Sequence, residues 1–200
     1  VSSLLPPVSL RDLIDPRPQV STLPERYELI HGEIREVTPM SSHAVKVANR
    51  LKRIVDRYLD GNPLGETAVE LPYRIPQPGD EGRNRVPDWS YVSYERWPAD
   101  RLDSFTGNAQ DVVPDIVAEM VSTSDSADDL LAKVREYLRG GVQLVWVVYP
   151  RVQEVHAYRP GVNTVRVYAA GDDLDAGDIL PGFRTAVEPL FPPVAPPPAA

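Results

Sequence analysis

Residues 113–133, VPDIVAEMVSTSDSADDLLAK, decide how this chain is read. The run from Ile116 to Val121 is apolar and β-branched enough for a core strand, apart from Glu119. With a period of two, Val117, Glu119 and Val121 share one face and Ile116, Ala118 and Met120 the other. A carboxylate inside such a strand is expensive unless it is paired, protonated or bound to a cation. Ser122-Thr123-Ser124-Asp125 reads as a capping sequence for a helix from about Ala127 to Arg139. Leu130, Leu131, Val134 and Leu138 form its apolar stripe, with Tyr137 on the edge. Gly140-Gly141 ends the helix, and Val142 to Val148 is a hydrophobic strand expected beside the Glu119 strand. Strand, helix and strand joined by a right-handed crossover form the expected unit.

Upstream, Val86 to Val92 is another strand, with Asp88 at its entrance and Trp89 and Tyr91 on the opposite face. If the two strands are neighbours, Asp88 and Glu119 can converge on one Mg²⁺, a hard cation that takes oxygen ligands and leaves room for water and phosphate. Lys133, on the following helix, has a stem long enough to bring an ammonium over the strand ends. Each residue also has a plainer reading: Asp88 as a turn or cap group, Lys133 as a solvated helix lysine. Asp115 shares the face of Glu119, but about four residues of strand put it roughly 13 Å away.

Residues 1 to 21 read as an irregular arm containing a helical turn at Ser9 to Ile14. Tyr27–Ile30 and Glu33–Val37 read as two strands joined by a tight turn at His31-Gly32. From His43 to Leu59 the pattern is helical, with Val47, Leu51, Ile54, Val55 and Tyr58 facing the core. Lys46, Arg50, Arg53 and Arg57 fall on a narrow stripe beside that face, as either a solvated surface or a row facing phosphates. Arg83 and Arg85, in a charged loop, are further candidate nucleic-acid contacts. His43 and Glu33 have structural readings, although a neutral imidazole near a phosphate can take a proton from water.

Leu64 to Arg74 reads as a strand broken at Pro72, and 93 to 112 as a polar connection with a short helical turn. Glu154 to Tyr158 and Val162 to Ala169 make a C-terminal hairpin, and Asp172 to Asp178 is an acidic surface segment. Leu180 to Phe191 packs the end, and the proline-rich residues 192–200 read as a disordered tail.

The absence of cysteine excludes disulfides, thiolate zinc sites and cysteine nucleophiles. The histidines lack metal-ligand spacing, and there is no glycine-rich phosphate loop or glycine-flanked serine nucleophile. No signal segment or long apolar run is visible, so a cytoplasmic protein without membrane association is expected. A formal charge of -8 opposes electrostatic coating of nucleic acid, although a bound divalent cation would offset acidic site residues.

With these residues identified, the chain resembles the "putative restriction endonuclease" family of the PD-(D/E)XK nuclease-like superfamily over about residues 22–191. The resemblance is carried by Tyr27 to Glu33, Pro39-Met40-Ser41 with His43, Arg85 to Val92, and above all Pro114 to Ser122 followed by Ser124-Asp125, Lys133, Tyr137 and Gly141. It closes with Trp146-Val147-Val148, Tyr158-Arg159-Pro160 and Leu180 to Phe183. The family's usual aspartate before the proline is Tyr149 here, and the segment between Met40 and His43 is short.

The resemblance implies one α/β (mixed α+β) domain over 22–191, with a restriction-endonuclease-like central mixed sheet flanked by helices and a C-terminal hairpin extension. Asp88 would be the superfamily aspartate and Glu119 the strand glutamate. The usual lysine two residues later is Val121 here, and Lys133 matches a lysine moved onto the following helix. Glu33 would be an additional acid near the metal, Met120 would join the metal set, and His43 would stand at the site edge. The implied activity is Mg²⁺-dependent hydrolysis of DNA, with Mn²⁺ as substitute, by a homodimer. Two other classes remain: a catalytically silent binding module of the same fold, and a structural dimerisation protein using Trp89, Trp97 and Tyr91.

Overall fold

In a computed structural model, residues 24, 26–98, 109–123 and 125–192 are described. The arm over 1–21, the tail beyond 192, Ser124 and residues 99–108 of the 93–112 connection lie outside them. Twelve strands and two α-helices are described: β1 (Tyr27–Ile30), β2 (Glu33–Glu36), α1 (Ser42–Gly61), β3 (Gly65–Val69), β4 (Tyr73–Arg74), β5 (Asn84–Arg85), β6 (Trp89–Ser93), β7 (Ile116–Met120), α2 (Ala127–Arg139), β8 (Leu144–Tyr149), β9 (Glu154–Tyr158), β10 (Arg166–Tyr168), β11 (Asp173–Asp175) and β12 (Arg184–Ala186).

Six strands form the central sheet in the order β10-β9-β8-β7-β6-β3. β7 and β8 are parallel, as the helix between them requires; the other neighbours are antiparallel. The β7 alternation then sorts the core. Ile116, Ala118 and Met120 join Trp89, Tyr91 and Trp146 beneath Val47, Ala48, Leu51 and Val55 of α1. Val117 joins Val145 and Val147 beneath Val134 and Tyr137 of α2. Glu119 therefore emerges on the α2 face. β1 and β2 form a separate hairpin whose turn residues, His31 (φ 52°) and Gly32 (φ 75°), both have the positive φ that a type I′ turn requires.

Several local expectations change. The side chain capping α2 is Ser126, which accepts from Asp129 N–H, rather than the Ser122–Asp125 group. Tyr137 is fully buried at the centre of the helix face, whereas Leu131, one step of about 100° from Leu130, is exposed. The second hairpin strand is shorter than expected, at Arg166–Tyr168. Asp172 to Asp178 is not simply surface: β11 pairs with β12, and period-two alternation buries Leu174 and Ala176 on either side of half-buried Asp175. Trp89 and Tyr91 are fully buried, and Trp97 packs against the α2-side core, so these aromatics do not form the exposed dimerisation patch considered above.

Candidate active site

β6 and β7 run antiparallel with Trp89 opposite Ala118. One step further along that register brings Asp88 opposite Glu119, and opposed residues of an antiparallel pair project to the same face. Both carboxylates line one cleft of ≈ 570 Å³ with Lys133 of α2. Asp88 Oδ2 accepts from the Met120 N–H at 2.6 Å, which anchors it across the strand pair. Glu119 is held at both oxygens: Oε1 accepts from the Tyr137 hydroxyl at 2.7 Å and Oε2 from Lys133 Nζ at 2.8 Å. Lys133 and Tyr137 are four residues apart on α2, so one helix face delivers both donors to one carboxylate.

Burial, followed by the charge of Glu119, pushes the Asp88 carboxyl up to about 7, against the Met120 N–H and Lys133. Burial works against the Lys133 ammonium, but Glu119 and Glu28 outweigh it and its pKa is raised. Burial and the same two carboxylates raise the Tyr137 phenol well above its ordinary value, so it remains a donor. Among the described residues the cleft holds six carboxylates, Glu28, Glu36, Asp88, Glu119, Asp125 and Asp129, against the single ammonium of Lys133. That excess suits a divalent cation better than a bare phosphate. Among the described residues no three carboxylate or imidazole side chains gather closely enough to hold an ion by themselves. Two carboxylates suffice for Mg²⁺ when water and substrate phosphate complete its shell, so the donor set fits such an ion.

The remaining candidates are placed elsewhere. Glu33 is exposed at the turn end of β2 and does not line the cleft, because the alternation of its short strand turns it to solvent. His43 is also exposed, although Ser41 and Ala44 beside it form part of the wall. Met120 lines the cleft, but its side chain lies on the face opposite Glu119, in the α1-side core. Arg83 and Arg85 are not at a phosphate-binding surface. Arg83, 4% exposed, pairs with Asp80 at 2.7 Å and Glu136 at 2.6 Å, and Arg85 pairs with Glu28 and Glu136. Of the α1 row, Lys46, Arg53 and Arg57 are exposed, whereas Arg50 donates to the Phe191 carbonyl at 2.5 Å. Asp115 binds Ser93 N–H, Gln143 and Arg96 and serves the frame.

Glu28 was missed. Its Oε1 lies 3.8 Å from Lys133 Nζ and accepts from the Val86 N–H at 3.2 Å, two residues before Asp88. The signal was present, since Glu28 is the acid inside an otherwise apolar Tyr-Glu-Leu-Ile strand, as Glu119 is in its own.

The family model described as "Putative restriction endonuclease", Uma2, matches residues 17–188. The chain belongs to the Uma2 family. Among solved structures it is similar to a protein from Anabaena variabilis ATCC 29413 titled "a putative nuclease belonging to DUF820". That likeness has a TM-score of 0.66 and 21% sequence identity, covering 82% of this chain and 88% of the other. At this identity it speaks for the fold, and the mixed six-stranded sheet flanked by two helices is that of a nuclease-like protein. No curated protein matches the chain. No helix among the described residues is long and apolar enough to cross a membrane. Uma2 membership supports a nuclease-like function, and nuclease-like families of this kind generally use divalent metals and act on nucleic acid.

Proposed function

We propose that this Uma2-family protein is a Mg²⁺-dependent endodeoxyribonuclease, with Mn²⁺ as substitute, whose centre is Asp88, Glu119 and Lys133. The observation that carries this reading is their convergence in one cleft, with the ammonium 2.8 Å from Glu119 Oε2. Asp88 and Glu119 would hold the ion, and any contribution from Met120 would come from its backbone, because its side chain faces the core. The bound ion would polarise a phosphoryl oxygen and lower the pKa of water beside it.

The protein's own groups supply the remainder. The Met120 N–H keeps Asp88 aimed into the cleft, and Tyr137 keeps Glu119 from rotating. Lys133, protonated through its raised pKa, donates to the attacking water or to a non-bridging phosphate oxygen and offsets charge as the P–O bond to the leaving oxygen breaks. Exposed Lys46, Arg53 and Arg57 are the proposed contacts to flanking phosphates, and Arg50 contributes less because it is tied to the C-terminal segment. Glu33 has no place in this scheme, and His43 is at most a rim residue. A cytoplasmic homodimer is the proposed working form.

Cleavage of plasmid and oligonucleotide DNA with Mg²⁺ or Mn²⁺ tests the reading. Glu119→Ala and Asp88→Asn should each lower cutting by about a thousandfold while the protein remains folded. Metal-dependent cutting that survives both substitutions removes the proposed centre. A second reading, a binding module without catalysis, draws on the lack of a third metal-ligating side chain among the described residues. It predicts DNA retention without cleavage at any metal concentration.

A further inference from the structure

Lys133 holds an oxygen that an ion at Glu119 would need. The Lys133 ammonium donates to Glu119 Oε2 at 2.8 Å and the Tyr137 hydroxyl to Oε1 at 2.7 Å, so a cation approaching Glu119 would meet a positive charge beside that oxygen. The ammonium has a second carboxylate within reach. Glu28 Oε1 lies 3.8 Å from Nζ, and an approach of about 1 Å would complete a charge-assisted hydrogen bond.

Glu28 is fixed in place before any such move. Its Oε1 accepts from the Val86 N–H at 3.2 Å and keeps further acceptor capacity, while its Oε2 is paired with Arg85. Arg85 is itself anchored to Glu136, which follows Lys133 by three residues on α2. The carboxylate that could receive the ammonium is thus braced from the segment between β5 and β6 that leads to Asp88 and, through Arg85, from the helix carrying Lys133.

We propose that Glu28 is a positioning residue that receives the Lys133 ammonium when a divalent cation occupies Asp88 and Glu119. The exchange keeps the lysine at the edge of the site and frees Glu119 Oε2 for the ion. Glu28 does not ligate the ion; it acts through Lys133. The inference rests on the metal site proposed above, and its test reads Mn²⁺ affinity rather than cutting.

Mn²⁺ binding to the full chain is measured by calorimetry for wild type, Glu28→Gln, Lys133→Met and the double variant, with Glu119→Gln as the site control. Glu28→Gln alone should weaken Mn²⁺ by roughly 3- to 30-fold, because Glu28 is the second carboxylate paired with the ammonium besides Glu119. Lys133→Met should bind at least as tightly as wild type, and adding Glu28→Gln to it should change affinity by less than about twofold. If Glu28→Gln does not fold, Glu28→Asp keeps the charge but draws it back, and should show an intermediate loss that vanishes in the Lys133→Met background. Equal losses in both backgrounds would show that Glu28 acts on the ion directly, and no loss in either would show that it does nothing; each overturns the exchange while leaving the metal site standing. Absence of Mn²⁺ binding, or binding indifferent to Glu119→Gln, overturns both the exchange and the site.

Discussion

Two clusters of charge lie next to each other and share Glu28, yet they are balanced in opposite ways. On one side, buried Arg83 and half-buried Arg85 sit among Asp80, Glu136 and Glu28, and both guanidiniums are spent on internal pairs. Burial works against the Glu136 carboxylate, but the hydrogen bonds from Arg85 and Arg83 outweigh it and hold its pKa below the ordinary value. On the other side, Asp88 and Glu119 share one lysine, and the Asp88 carboxyl is driven up to about 7 by burial and by its acidic neighbour. A buried network whose charges are matched ties three segments together. A pocket with unmatched acid is strained until a cation or proton arrives. Residue types alone do not separate the two; the number of partners within reach does.

The largest expected effect comes from breaking the matched side. Arg85→Ala leaves Glu28 and Glu136 without their shared partner and should destabilise the fold by about 3 kcal/mol, read by urea or thermal unfolding. A loss below about 1 kcal/mol would mean that this network is no better balanced than the cleft.

The unmatched side should respond with the opposite sign. In metal-free protein, Asp88→Asn should stabilise the fold at pH 8 by about 1–2 kcal/mol, a discount on the shift because the group borders an open cleft. Between the ordinary carboxylate value of 3.8 and about 7, the folded state holds a proton on Asp88 that the unfolded state has released. Stability is therefore lost as pH rises through that interval, and the asparagine variant escapes the loss. The gain should disappear near pH 4; a gain of the same size at every pH would assign it to packing instead.

The smallest effect separates tethering from charge. Tyr137→Phe removes the hydroxyl from Glu119 Oε1 and should cost about 1 kcal/mol of stability, leaving a buried acceptor with one donor fewer. Cleavage should fall more than stability alone explains, because Glu119 then lacks the hydroxyl that fixes its Oε1. Unchanged cutting would show that the hydroxyl is not needed to orient the carboxylate.

Much of the frame was legible locally. Period-two alternation placed Glu119 on its face, and the helix over 127–139 and the parallel strand after it followed from spacing and from the glycines that end α2. Asp88 was legible as an acid entering a strand, although its position opposite Glu119 depends on the register of β6 and β7. Glu28 carries the same signal as Glu119, but the family resemblance points to Glu33, and in a hairpin of short strands the face that meets the body cannot be read from the hairpin itself. Arg83 and Arg85 looked like loop cations free for phosphate, since Asp80, Glu136 and Glu28 converge on them only after folding.

What the sequence determined by itself is the order of elements, the face on which each strand residue stands and the presence of two acids and a lysine beyond ordinary packing needs. These depend on the pitch of a strand or helix, which is a local property. Only the tertiary structure decided which charges neutralise one another and which remain in excess. A Coulomb energy depends on the separation of groups far apart in the chain and on how much water is left between them. No local pattern carries either quantity, so Arg85 and Lys133, both cations near the same glutamate, take different parts: one braces the fold, and the other stands at the open cleft.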